Sequence, residues 1–199
     1  MKTTMNKVLS AAILLTGIAS VSVSCKSKKA TPIEQQTGAV EISVPFSGKE
    51  FQTDKENFRA RSSGNSPDMV TAKKIALQNA KSEMAGMIQS TMKKVTEQYT
   101  QQRQMGNTQE FNNKFEELAR EVTNQTLTDV GVIGEKIYKE TNGTFTYWVA
   151  IQANKQTVLE GMTKTISQNQ KLAQDYDKKK FEEIFNSEMD KLAKERGGN

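Results

Sequence analysis

Few residues in this chain are equipped for chemistry, and one of them stands alone. Cys25 is the single cysteine among 199 residues, and it closes the run Val-Ser-Val-Ser-Cys over residues 21–25. A thiolate is a strong nucleophile, but one cysteine allows no intrachain disulfide, no thiolate metal cluster and no CxxC redox pair. Histidine is absent, which removes Ser-His-Asp and Cys-His triads, His-ligated zinc or iron, and haem held through His. Acid–base work would fall to carboxylates such as Glu116, Glu117, Glu121, Glu182 and Glu183. Two of them would have to face each other across a cleft at about 5 to 10 Å, and their helical context reads instead as solvated helix faces. No catalytic residue, metal ligand or cofactor is assigned, and the chain is read as not an enzyme. It also shows no Gly-rich phosphate loop and no arginine cluster.

The charge balance points the same way. There are 28 Lys and Arg against 23 Asp and Glu, a formal +5. Setting aside Lys2 and Lys7 leaves 26 against 23. The bases are interleaved with acids rather than clustered with aromatic residues, so no nucleic-acid partner is expected.

Residues 1–7 are short and basic, and residues 8–23 are apolar or small. That run falls short of the ~20 residues that span a bilayer, and it reads as a cleaved signal peptide, residues 1–24. In place of an Ala-x-Ala site it passes through Ser22, Val23 and Ser24 into Cys25. This arrangement resembles the lipobox of bacterial lipoproteins, with Ser22 where Leu is usual. The resemblance implies a diacylglycerol on the Cys25 sulfur, cleavage just before it, and acylation of the new amine. The membrane is then a partner through the anchor on Cys25, and several acyl chains at about 0.8 kcal/mol per buried methylene make the attachment lasting. The alternative is a secretory leader cut elsewhere, leaving a free thiol. Lys26, Lys28 and Lys29 either meet anionic headgroups, at about 1 kcal/mol each, or belong to a solvated linker. By resemblance to lipoprotein sorting rules, the absence of Asp at position 26 and of an acidic run after Cys25 implies the outer membrane, on the periplasmic side. Residues 25–38 form the anchor and a flexible tether.

From residue 39 the pattern becomes that of a domain. Val40, Ile42 and Val44 alternate with polar residues in a short predicted strand over residues 39–46, and residues 51–61 read as a second. Ser66, Pro67 and Asp68 have the chemistry of a helix start, with Ser66 as N-cap. Apolar residues from Met69 to Tyr99 then recur at spacings of three and four, a long helix reaching about residue 104. Its stripe of Ala72, Ala76, Ala80 and Gly86 permits a close approach by another element, most simply the sheet, and its methionines read as core. Met105, Gly106 and Asn107 break the pattern, and a second helix runs from Phe111 to about Leu127.

Residues 128–140 and 145–152 read as strands around Thr141-Asn142-Gly143-Thr144, and Asn-Gly favours a two-residue type I′ hairpin. That turn pairs Tyr138 with Tyr147 and Lys136 with Val149 on one face, Ile137 with Trp148 and Glu135 with Ala150 on the other. Both faces then carry apolar groups, one for the long helix and one for a later helix or a partner. Tyr138, Phe145, Tyr147 and Trp148 are the candidate partner-binding residues, with Trp148 read first as a core anchor. Residues 155–166 and 169–194 read as helices, the latter as a charged C-terminal extension, residues 167–199, that could project as an arm.

Three parts of the chain resemble the LPP20 lipoprotein family, whose domain also occurs in flagellar ring proteins. They are Phe58-Arg59-Ala60-Arg61-Ser62-Ser63-Gly64, the helical run over residues 72–85 with its alanine spacing and Asn79-Ala80 pair, and Val130-Gly131-Val132-Ile133 leading through the hairpin to Tyr147-Trp148-Val149-Ala150-Ile151. The resemblance covers roughly residues 51–159, with the strand before Pro45 and the charged C-terminal helix departing from it, and implies a small antiparallel sheet with long amphipathic helices packed on it and no catalytic residues to carry over; the α+β domain is read over residues 39–166. The expected function is a non-catalytic, lipid-anchored envelope protein that binds another envelope protein or assembles a complex. The alternative is binding of a lipid or peptidoglycan fragment between helix and sheet.

Overall fold

The computed structural model describes residues 42–103 and 108–197. The leader, Cys25, the tether, residues 39–41 and the break at residues 105–107 lie outside the described residues. A 3-10 turn, Lys49–Phe51, precedes β1 (Asn57–Ser66), α1 (Met69–Arg103), α2 (Thr108–Thr128), β2 (Gly131–Lys139), β3 (Phe145–Asn154), α3 (Lys155–Gln168), α4 (Gln170–Asp175) and α5 (Lys178–Glu195). The three strands are antiparallel in the order β1-β3-β2, so the fold is α+β as expected.

Helix α1 organises the rest. Its first half lies on β1 and β3, where Ala72, Ala76, Ala80 and Met84 are fully buried. The approach is close because β1 contributes Gly64: a Cβ there would lie 2.5 Å from the Ala72 carbonyl oxygen and 2.5 Å from the Ala76 nitrogen. Gly86, expected in the same stripe, is instead exposed, with nothing within 4 Å of where its Cβ would be. On the strand side Phe58 and Ala60 of β1 and Tyr147, Val149, Ile151 and Ala153 of β3 face the helix. The second half of α1 runs on into a helical bundle. There Tyr99 meets Phe111 at 6.0 Å and Phe181 at 6.0 Å between ring centroids, and Phe115 meets Phe181 at 5.4 Å. Buried threonines fit this core because each hydroxyl donates one turn back, Thr96 to the Met92 carbonyl at 2.8 Å and Thr126 to the Val122 carbonyl at 2.9 Å.

The start of α1 differs from the expected cap. Strand β1 continues through Ser66, which pairs with Phe145, so the cap moves two residues on. Asp68 Oδ1 accepts from the Thr71 N–H at 2.8 Å, and Ser66 Oγ accepts from the Asp68 N–H at 3.2 Å.

The C-terminal helix does not project. Phe181, Ile184, Phe185 and Met189 of α5 are buried in the same core as α1 and α2. The single helix expected over residues 169–194 is cut in two because Asn169 caps α4 and Asp177 caps α5, with Asp177 Oδ1 accepting from the Lys180 N–H at 3.0 Å. The Asp177 N–H in turn donates to the Tyr99 hydroxyl at 2.7 Å, which ties the break to α1. Each fully buried aromatic of this kind contributes roughly 1.5 to 3 kcal/mol of burial free energy, more than exposed charges on the opposite face can offset.

Candidate functional site

The hairpin sets the surface on which a site can be built, and its register is one residue from the expected one. Ile137 pairs with Tyr147, Lys136 with Trp148 and Glu135 with Val149. The cause is the loop. Gly143 has a φ of 86° while Asn142 has a negative one, so the type I′ geometry, which needs two positive φ values, is not formed. The Gly143 N–H donates to the Glu140 carbonyl at 3.0 Å and the Glu140 N–H donates to the Thr144 carbonyl at 2.9 Å, a three-residue loop. Asn142 Oδ1 accepts from the Thr144 N–H at 3.0 Å and from its hydroxyl at 2.9 Å, which holds Asn142 out of the left-handed region. A slip of one residue turns every side chain of one strand over relative to the other.

The four candidate residues are therefore divided between two faces. Tyr147 is buried at 3% exposure under α1, and Phe145 packs half-buried on the same side. Trp148 lies on the opposite, outer face, half-buried, across from Ser63 and Lys136. It is not the anchor of the helix-covered core, because it alternates along β3 with Tyr147 and Val149, which face α1. Tyr138 shares that outer face, is 44% exposed, and lines an open hollow with Val44, Phe46 and Lys136.

Phe46 covers part of the outer face, in place of the strand expected over residues 39–46. Within that stretch, residues 42–44 form no strand and Pro45 and Phe46 form a turn. Phe46 has a φ of 59°, a left-handed conformation that costs a non-glycine residue about 1 to 2 kcal/mol. The reversal drops its ring onto Gly134, where a Cβ would lie 2.5 Å from Phe46 Cε1. Phe51 packs edge-on to the ring at 4.9 Å, Lys136 Nζ stands 5.7 Å from its centroid, and Arg61 donates to the Phe46 carbonyl.

On the helix side a small charged cluster ties α1 to β2. Lys73 Nζ lies 2.8 Å from Glu135 Oε1 and 5.4 Å from the Tyr147 ring centroid. Glu135 and then Tyr147 raise the Lys73 pKa, while Lys73 and then Tyr147 lower that of Glu135. Burial, followed by Glu135, raises that of the Tyr147 phenol. All three groups move away from neutrality, the opposite of what a proton-transferring group needs. The cluster is a strut. Of the carboxylates weighed for acid–base work, Glu117 lies 2.6 Å from Lys114, Glu182 3.6 Å from Lys178 and Glu183 3.9 Å from Lys180, each on a helix face.

The two edges of the sheet differ. At Arg59 of β1 the chain covers its own edge: the Arg59 N–H donates to Thr53 Oγ1 at 2.9 Å, and that hydroxyl donates to the Arg59 carbonyl at 3.0 Å. Arg59 Nη1 holds Asp54 Oδ2 at 2.6 Å and the Gln52 carbonyl at 2.8 Å, which fixes the covering segment. Along β2 no such cover occurs among the described residues, and Val132, Ile137 and Tyr138 are 49%, 48% and 44% exposed. Hydrogen-bonded and non-bonded pairs alternate in an antiparallel ladder. Since Glu140 and Thr144 are bonded, the main-chain groups of Lys139, Ile137 and Glu135 point outward. Sequence reading missed Val132 and Ile137 as surface residues; the available signal was apolar residues at both odd and even positions of a strand that also carries Glu135, Lys136 and Lys139.

Fold and site together define an α+β domain with one sheet edge partly covered by its own chain and the other uncovered among the described residues. No protein family, curated protein or solved structure matches the chain.

Proposed function

We propose that this chain is a non-catalytic, lipid-anchored envelope protein of the LPP20 type, attached through Cys25 to the periplasmic face of the outer membrane and acting as a protein-interaction or assembly module. The observation that carries the interaction reading is strand β2, an edge strand exposed along most of its length with three large apolar side chains on it. Edge strands with open main-chain groups accept a further strand. The attachment reading rests on the apolar leader that ends at the one cysteine. The strut of Lys73, Glu135 and Tyr147 supports a role in holding β2 in place rather than one in proton transfer.

Binding of a lipid or glycan fragment between helix and sheet draws no support from the packing. Ala72, Ala76, Ala80 and Met84 are fully buried there, and Gly64 brings the two backbones into contact.

Crosslinking the native lipoprotein in intact membranes, followed by its recovery, tests the interaction. A partner recovered with the wild-type chain and lost with Val132→Lys and Tyr138→Lys is expected. Recovery indifferent to both substitutions, or no partner in any detergent, contradicts it.

A further inference from the structure

We infer that β2 pairs with β2 of a second copy of this chain, antiparallel about a two-fold axis at Ile137, joining two three-stranded sheets into one of six strands. The inference rests on the reading of β2 as an interaction strand and goes beyond it by naming the occupant.

The register follows from the outward main-chain groups and the charges. Residues pointing the same way must oppose each other across a two-fold, so the axis falls on a residue; centring on Tyr138 pairs only Ile137 with Lys139 and forms about four main-chain bonds, which leaves Glu135, Lys136 and Ile137 to compare. Centring on Glu135 sets that carboxylate against its own copy, and centring on Lys136 does the same to an ammonium. Both are repulsive. Centring on Ile137 sets the half-exposed Ile137 side chains against each other, Glu135 against Lys139 of the copy, and Lys136 against Tyr138 of the copy. Every charged group then meets an opposite charge or an aromatic ring. Ile137, Glu135 and Lys139 are the residues whose N–H and C=O face outward, so the same register forms about six main-chain hydrogen bonds. The ladder irregularity in β2 lies between Val132 and Gly134, outside the paired stretch, so residues 135–139 keep a regular outward face. The β1 edge is interrupted, with the Arg59 main chain taken by Thr53 and the Ser63 carbonyl by Asn79, whereas residues 135–139 of β2 offer an uninterrupted run among the described residues.

Sedimentation velocity of the full chain in excess detergent, over a concentration series, tests this. The wild type is expected to form a reversible dimer. Ile137→Pro removes an outward N–H without touching the ladder to β3, and Ile137→Lys places a charge on the axis. Both are expected to sediment as monomers with unchanged circular dichroism. Lys139→Gln is expected to weaken association slightly and Lys139→Glu, which sets a carboxylate against Glu135 of the copy, about tenfold, while Glu135 keeps its bond to Lys73. Should Ile137→Pro fail to fold, the charge series alone decides. A wild-type monomer at every concentration, or a dimer indifferent to these substitutions, would overturn the pairing. A monomer that still captures a partner through Val132 and Tyr138 would overturn this pairing alone and leave β2 as an interaction strand. Occupation of the edge by the chain's own N-terminal segment would likewise read as a monomer.

Discussion

Gly64 of β1 and Ala72 of α1 are in backbone contact: a Cβ on Gly64 would fall 2.5 Å from the Ala72 carbonyl oxygen, with the Ala76 nitrogen equally near. Neither neighbour is a side chain that can swing away, so helix and strand must separate to admit a methyl group. Gly64→Ala is expected to destabilise by about 1 to 3 kcal/mol, the usual range for overpacking. Gly86→Ala, on the exposed side of the same helix, is expected to stabilise by about 0.8 to 1 kcal/mol through helix propensity. Urea midpoints of the two variants check the opposite signs.

Phe46 and Gly134 offer a second steric test. Gly134→Ala displaces the Phe46 ring, which lies 2.5 Å from the new Cβ, and is expected to cost about 1 to 2 kcal/mol. In a Phe46→Ala background the same change should be nearly neutral. A double-mutant cycle measures this coupling directly, and a cost that persists without the ring would show that Gly134 is constrained by something else.

Phe181 reports whether α5 belongs to the core. Its ring is fully buried against Tyr99, Phe115 and Tyr176. Phe181→Ala is expected to cost about 3 to 5 kcal/mol. A projecting arm would show almost no change in thermal or urea unfolding.

The strut has a definite pH signature. Lys73 holds the Glu135 carboxylate below its ordinary value of 4.5, so its stabilisation is present above that value and fades as pH falls through the lower, folded-state pKa. Lys73, raised above 10.5 by Glu135, and the Tyr147 phenol, raised above 10.0 by burial, stabilise at lower pH and lose that contribution as pH rises through their folded values. The difference in melting temperature between wild type and Glu135→Gln should therefore stay level from about pH 6 to about pH 9 and shrink in acid. A change centred near neutrality would contradict the assignment of these three groups.

Much of the architecture was legible because it is written in local terms. The apolar spacing of three and four marks α1 and α2, and the glycine-bearing loop marks a hairpin. Ala72, Ala76 and Ala80 announced a close approach, since small side chains at that spacing leave room for little but another backbone. The glycine completing that contact, Gly64, sits in a strand, where periodicity assigns no meaning to it. The hairpin register escaped because Asn-Gly is compatible with two loop lengths. The choice between them depends on Asn142 bonding Thr144, and one residue of difference decides whether Tyr138 or Ile137 shares the face of Tyr147. The stripe of Phe181, Phe185 and Met189 stands at helical spacing in the sequence, but the charge of α5 suggested a projecting arm, and what the stripe packs on shows only beside the aromatic residues of α1 and α2. The Phe46 reversal rests on a φ of 59° that an alternating apolar pattern does not foretell.

The proposal of a lipid-anchored module depends first on Cys25, and intact mass spectrometry of the protein isolated from membranes tests it most directly. A chain beginning at Cys25 and carrying diacylglyceryl and amine-linked acyl groups is predicted, with both lost in Cys25→Ala. A membrane-derived chain with a free, unmodified Cys25 thiol, or one cleaved at another position, would contradict it.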